Sequence, residues 1–276
     1  MNSINCKGKL IDLSTPKVMG ILNLTPDSFY DGGKLSSEKD ILSQADKMLN
    51  KGATFLDLGG YSSRPGAAFV SEDEELKRVL PVVNLILESF PEALLSIDTF
   101  RSNIAKQCIE SGAAMVNDIS GGNMDENMFK TIADLQVPYI MMHMRGTPET
   151  MMQNTDYQNI TKELVLYFSE KIAKAKTYEI NDFIVDLGFG FSKTMEQNFE
   201  LLSNLEIFKN LEVPLLVGIS RKSMIYKTLG VSPKDALNGT TALHSIALHK
   251  GASILRVHDV KEAVETINLL QNLKNK

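Results

Sequence analysis

Tryptophan is absent from the 276-residue chain, and cysteine is nearly so, with only Cys6 and Cys108. Two cysteines cannot build a disulfide framework, and this pair has no metal-ligand spacing, so a reducing cytosol is the expected compartment. No stretch approaches the roughly 18 consecutive apolar residues of a membrane helix. The opening residues, Met1 to Lys7, lack the long apolar core of a secretory signal. Basic residues are not in excess: 29 Lys and Arg face 34 Asp and Glu, for a net charge of −5. That balance argues against a nucleic-acid-coating surface. It leaves open a small anionic substrate, which senses a local group of cations rather than the whole-chain charge. Low-complexity segments, linkers and extended internal repeats are also missing, so a single domain over 1–276 is expected. What is abundant is apolar material, 43% of residues against 23% charged, enough for a large core.

That apolar material comes in short runs at 18–23, 55–58, 94–98, 114–118, 138–142, 183–187, 214–219 and 253–257. Several are almost wholly apolar, as parallel strands buried on both faces should be. Between them lie helical patterns. In 37–51, Ile41, Leu42, Ala45, Met48 and Leu49 share one face. Ser71-Glu72-Asp73-Glu74 has the capping-box form of a helix start, and Pro81 should kink or restart that helix. Lys51-Gly52-Ala53, Ser111-Gly112-Ala113 and Lys250-Gly251-Ala252 each place a glycine where a helix must end just before a strand. Eight strand–helix alternations in about 250 residues predict an α/β fold, a (β/α)8 TIM barrel, with a doubly wound open sheet as the alternative. Gly8 and Pro16 in the first 17 residues predict a short N-terminal hairpin capping the barrel floor.

Polar residues fall at the ends of these runs. Asn23, Asp57, Asp98, Asn117, Asp186 and Arg256 stand at or near C-terminal strand ends, and Lys222 lies just beyond the seventh. In a TIM barrel these ends converge on one mouth, where active sites are built. Any one Asp there could equally cap the following helix. Seven polar groups brought together by topology favour a site, since burying them unpaired costs several kcal/mol. Two loops flank this set. Residues 23–33 (NLTPDSFYDGG) carry aromatic side chains and two carboxylates, and residues 59–66 (GGYSSRPG) carry hydroxyls and an arginine. Both also read as ordinary turns. Gly218-Ile219-Ser220-Arg221-Lys222-Ser223 begins a helix just past a strand, where free amides and two cations suit an anion. Arg256 and His258 alternate with Val257 and so share one face.

The segments 18–33 and 55–66, together with Ser96-Ile97-Asp98-Thr99, Val116-Asn117-Asp118, Asp186 to Phe191, Ser220 to Ser223 and Arg256-Val257-His258, form an ordered set. This set resembles the dihydropteroate synthase family from about residue 18 to residue 260. The resemblance implies a barrel enzyme of folate biosynthesis, a transferase joining 6-hydroxymethyl-7,8-dihydropterin pyrophosphate to p-aminobenzoate. By the same resemblance, Asp98, Asn117, Asp186, Lys222 and Arg256 line a pterin pocket. Asn23 holds Mg2+ with the pyrophosphate, and Arg256 and His258 contact the phosphates, with Asp57 on the same side. Phe29, Ser62, Ser63, Arg64, Pro65, Phe191, Lys222 and Ser223 form the p-aminobenzoate site. Asp31 and Asp98 stabilise a cationic, SN1-like intermediate. A cytoplasmic homodimer is implied as well.

Tyr61, Ser63, Leu187 and Ser192 stand where this family more often has Glu, Thr, Pro and Gly, which bears on affinity for p-aminobenzoate and its sulfonamide mimics. Tyr61 is expected to point away from the mouth if Ser62 and Ser63 face it. The rival readings are a methyltetrahydrofolate:corrinoid methyltransferase, which needs no pyrophosphate site, and a non-catalytic pterin-binding protein, which would not need Asn23, Lys222 and Arg256 together.

Overall fold

The computed structural model describes residues 3–24, 38–61 and 69–274. An antiparallel hairpin, β1 (Ser3–Cys6) and β2 (Lys9–Asp12), leads into β3 (Lys17–Asn23). There follow β4 (Phe55–Gly59), β5 (Leu94–Asp98), β6 (Met115–Asp118), β7 (Tyr139–Met142), β8 (Phe183–Asp186), β9 (Leu215–Val217) and β10 (Ile254–Val257). All pairings among β3 to β10 are parallel, and β10 pairs with β3, so the sheet closes on itself. Closure decides between the two architectures: this is a (β/α)8 barrel, not an open sheet. Its helices are α1 (Glu38–Asn50), α2 (Glu72–Ser89), α3 (Ser102–Glu110), α4 (Met128–Leu135), α5 (Ile160–Thr177), α6 (Met195–Ser203), α7 (Ser223–Leu229), α8 (Leu237–His249) and α9 (Val260–Lys274).

Two apolar layers hold the barrel. Outward-facing Val18, Leu22, Leu56, Leu58, Val116, Val185, Val217 and Val257 pack under the helices, where Ala45, Val83, Ile104 and Phe129 meet them. The inner layer at the floor is Met19, Phe55, Met115, Ile140, Ile184, Leu216 and Ile254, joined by Ile4, Cys6, Ile11 and Leu13 of the hairpin and its exit. The hairpin therefore plugs the floor, as its sequence predicts. Lys7 and Gly8 both take positive φ, +56° and +79°, the conformation a tight two-residue hairpin turn requires. Both cysteines are buried and free.

The helix signals hold with one exception. Ser71 accepts the Glu74 amide at the start of α2, and Gly52, Gly112 and Gly251 all take positive φ at helix–strand joints. Of the kink or restart expected at Pro81, a restart does not occur: α2 runs unbroken from Glu72 to Ser89. The apolar packing of Val79, Val82, Val83 and Ile86 outweighs the one lost backbone hydrogen bond.

Candidate active site

Alternation along each strand decides what enters the barrel. Met19, Ile21 and Asn23 share one phase of β3, as do Phe55, Asp57 and Gly59 on β4 and Leu94, Ser96 and Asp98 on β5. Register then sets the depth: Asp57 lies beside Ser96, Gly59 beside Asp98, and Asp98 beside Asn117. The floor positions are apolar and the upper positions polar, so one rotation of the strand pattern supplies both a core and a site.

At the centre stands Arg256. Its Nε donates to Asp57 Oδ2 at 2.6 Å and its Nη2 to Asp98 Oδ2 at 2.7 Å, while Asn117 Nδ2 also reaches Asp57 Oδ2 at 3.1 Å. Asp57 is wholly buried, whereas the Arg256 and Asp98 side chains keep 17% and 16% exposure toward the mouth. Burial pushes the Asp98 carboxyl up to about 7, against the pull of the Arg256 guanidinium and with the push of Asp57. Burial alone would lower Arg256, but Asp57 and Asp98 outweigh it and hold the guanidinium above its ordinary range.

Across the mouth, Asp186 is almost fully buried and its Oδ1 accepts the Gly188 amide at 2.8 Å. Burial raises its carboxyl, and Lys222 is the largest opposing influence. Lys222 Nζ donates to the Phe189 carbonyl and sits 4.7 Å from the centre of the Phe191 ring. Burial pushes this ammonium down to about 8, opposed chiefly by Asp186. Phe191 packs on an apolar wall of Phe100, Ile119, Met142, Met144 and Met151. A pocket with a flat apolar wall and donors and acceptors along one edge suits a planar heterocycle. Ser223 follows Lys222 directly and opens α7.

Other expectations need adjustment. Asp57 lies beneath Arg256 and holds that cation. Arg221 is not available to an anion in the way its sequence position suggests. Its Nε and Nη2 grip Asp259 at 2.7 and 2.9 Å, and its Nη1 donates to the Pro233 and Lys234 carbonyls. Tyr61 packs edge-on to Phe100 with ring centres 5.2 Å apart, in the apolar group that includes Phe191, and its hydroxyl donates to Glu149 at 3.0 Å. His258 is exposed at the rim, with Nδ1 3.1 Å from Ser220 Oγ. Asn23 ends β3, partly exposed. Phe29, Asp31, Ser62, Ser63, Arg64 and Pro65 lie outside the described residues.

Sequence reading overlooked three buried polar pairs. Asp118 faces the helix layer, accepting the Tyr139 hydroxyl at 2.7 Å and the Ser120 and Gly122 amides. Glu75, wholly buried, pairs with Arg101, which also donates to the Val70 carbonyl. Lys193 is buried against His143. The nearest thing to a signal is the position of Lys193, two residues past the glycine-rich run 188–191.

Residues 19–258 match the family model described as pterin binding enzyme. The chain belongs to that family, a class of enzymes whose barrel fold it shares. Within it, the chain is similar to the dihydropteroate synthase of Escherichia coli (strain K12), 43% identical over 267 residues covering 96% of this chain and 94% of that one. It is likewise similar to the dihydropteroate synthase of Synechocystis sp., 44% identical over 88% of this chain and 85% of that protein. Among solved structures, Yersinia pestis dihydropteroate synthase with a sulfonamide drug superposes with a TM-score of 0.93 at 39% identity, covering 99% of this chain and 100% of that one. The Xanthomonas albilineans dihydropteroate synthase in complex with 7,8-dihydropteroate superposes at 0.88 with 32% identity, covering 99% and 98%.

Proposed function

We propose that this chain is a dihydropteroate synthase, a transferase of folate biosynthesis. It condenses 6-hydroxymethyl-7,8-dihydropterin pyrophosphate with p-aminobenzoate to give 7,8-dihydropteroate and pyrophosphate. The observation that carries this reading is the mouth itself. A buried carboxylate, an amide and an ammonium (Asp186, Asn117 and Lys222) stand with an apolar wall on one side and a guanidinium between two carboxylates on the other.

A pterin edge presents ring N–H and amino donors beside acceptors. Asp186 accepts the donors, and Asn117 and Lys222 complete the pairing. Arg256 offers its planar face to the ring and its charge to the pyrophosphate, with His258 at the rim as a second phosphate contact. The C–O bond to pyrophosphate breaks, leaving positive character on the exocyclic carbon that the pterin ring delocalises and that Asp98, with Asp31, stabilises. The arylamine nitrogen then forms the new C–N bond and loses a proton. On this reading p-aminobenzoate lies against Phe191 and Lys222, with its carboxylate toward Ser223 and its remaining contacts from Phe29, Ser62, Ser63, Arg64 and Pro65.

Among the described residues no cluster of three or more His, Cys, Asp or Glu side chains is arranged to hold a metal. Asn23 offers one hard amide oxygen, which suits Mg2+ coordinated mainly by pyrophosphate oxygens and water. Asn23 would hold the ion there, where its chemistry is to neutralise charge on the departing pyrophosphate. The reading extends to a cytoplasmic location, supported by two cysteines that are both free, and to a homodimer, supported by the exposure of Leu229, Val231 and Ile246 on and after α7 and on α8.

Pyrophosphate release from the pterin pyrophosphate tests the function. Release should require both p-aminobenzoate and Mg2+ and should yield dihydropteroate. Pterin binding without turnover, or methyl transfer to a corrinoid protein, would overturn the reading.

A further inference from the structure

Lys193 is 2% exposed, and every hydrogen-bond partner of its ammonium is an acceptor supplied by the two loops that follow β7 and β8. Nζ lies 3.0 Å from the Gly188 carbonyl, 2.9 Å from that of Phe191 and 3.3 Å from that of His143, with His143 Nδ1 at 3.0 Å. An ammonium has only donors, so its place against Nδ1 puts the His143 proton on Nε2. The imidazole is neutral: burial, then the Lys193 charge, pushes it down to about 2. Burial also pushes Lys193 well below its ordinary range, with Asp186 the largest opposing influence. Sinking a cation here is unfavourable unless acceptors face it, and the three carbonyls and the imidazole nitrogen supply them.

Those carbonyls bracket the residues that hold Lys222. Gly188 and Phe191 flank Phe189, whose carbonyl accepts Lys222 Nζ, and Phe191 supplies the ring beneath that ammonium. The same turn is closed by the Phe191 amide on the Gly188 carbonyl at 3.0 Å. Gly188 has φ +68°, and a Cβ there would stand 2.1 Å from the His143 carbonyl, so the loop approaches β7 as closely as backbone can. Without its central cation, the His143 and Phe191 carbonyls would lose the donor they converge on and the Gly188 carbonyl would keep only the Phe191 amide, so the loop would relax away from Lys222.

We infer that Lys193 is a positioning residue for the p-aminobenzoate pocket: as a built-in cation it folds the 188–191 loop so that the Phe189 carbonyl and the Phe191 ring set the reach of Lys222. It touches no substrate itself. The inference rests on the assignment of Lys222 and Phe191 to that pocket.

The test is steady-state turnover of purified Lys193→Met, Lys193→Ala and Lys222→Ala enzymes whose far-UV circular dichroism matches the parent. An Ile86→Ala variant, at the floor end of α2 where Ile86 is fully buried, serves as the stability control. Lys193→Met is expected to raise KM for p-aminobenzoate by about tenfold or more with kcat changed less than threefold, and added propylammonium or methylammonium should restore KM in Lys193→Ala. Ile86→Ala should lose thermal stability without moving KM. An unchanged KM in a folded Lys193→Met, or the same rise in Ile86→Ala, overturns the role. If Lys193→Met aggregates, Lys193→Gln decides the matter, because it keeps N–H donors but loses the charge: a raised KM there supports the role of the cation and a normal KM overturns it. Should Lys222→Ala leave KM for p-aminobenzoate untouched, the pocket assignment itself fails. A rise in Lys222→Ala without one in Lys193→Met removes only the positioning role.

Discussion

Arg256→Met should cut kcat/KM for the pterin pyrophosphate by about a thousandfold or more, corresponding to roughly 4 kcal/mol of lost transition-state stabilisation. The size follows from what the guanidinium does in one place. It neutralises Asp57 through Nε and Asp98 through Nη2, and on the proposed mechanism it also faces the leaving group. Methionine fills similar volume and removes all three interactions. Asp57 would then keep only Asn117 at its bonded oxygen; its other oxygen has no partner among the described residues. Breaking a buried pair by removing one partner typically costs about 3–5 kcal/mol, and the residual exposure of Arg256 places the stability loss nearer the lower figure. Two carboxylates left facing a pyrophosphate also repel it. Arg256→Lys should recover little, because a single ammonium cannot span both carboxylates as the planar fork does. Steady-state pyrophosphate release and urea melts measure the two effects. Activity within tenfold of the parent would mean that Arg256 is structural and that the phosphates bind elsewhere.

The sequence carries the barrel because its strands are buried on both faces and its helices are not, which leaves two different periodicities to read. It does not carry closure. β10 pairing with β3 is a contact between residues more than 230 positions apart, and no local pattern encodes it. The site was legible where function and topology coincide. Asn23, Asp98, Asn117, Asp186 and Arg256 stand at strand ends, and counting in twos from apolar neighbours is enough to place them in the mouth. Depth was not legible: Asp57 and Asp98 occupy equivalent-looking acidic positions. The register, however, puts Asp57 two residues lower on the barrel wall than Gly59, which lies beside Asp98. One carboxylate is therefore sealed under Arg256 and the other is open to substrate. Side-chain partners were not legible either. Arg221 and Lys222 are adjacent cations, and only the position of Asp259, 38 residues later, turns the first into a clamp and leaves the second to the site. Lys193 escaped notice for a related reason, since a lysine after a glycine-rich run reads as solvent-facing unless carbonyls are known to surround it.

Asp98→Asn should lower kcat by about 10²–10³-fold, the range seen when one preorganised charge-stabilising group is removed, and should also erase one limb of the pH profile. Burial holds the Asp98 carboxyl near 7 and the Lys222 ammonium near 8. The proposed mechanism needs Asp98 ionised, to stabilise the cationic carbon, and Lys222 protonated, to pair with substrate. kcat/KM in the parent should therefore climb with pH through about 7 and fall above about 8, giving a narrow maximum between them. In Asp98→Asn the acid limb disappears and the alkaline limb stays. Stability moves in a related way. The folded-state value of Asp98 lies above its unfolded value near 4, so the protonated form favours the fold. That contribution is fully present below about pH 4 and is lost as pH rises toward 7, at a slope of up to about 1.4 kcal/mol per pH unit. Asp118, Asp186 and Glu75 are raised by burial too and pull in the same direction, so the informative quantity is the difference between the parent and Asp98→Asn. Urea melts from pH 4.5 to 7.5 should show the variant losing less stability than the parent across that window. Parallel slopes would mean that Asp98 is already ionised at pH 5 under the pull of Arg256. An acid limb that survives in Asp98→Asn would move the essential carboxylate to another position, with Asp186, also raised by burial, the candidate and Lys222 its neutralising partner.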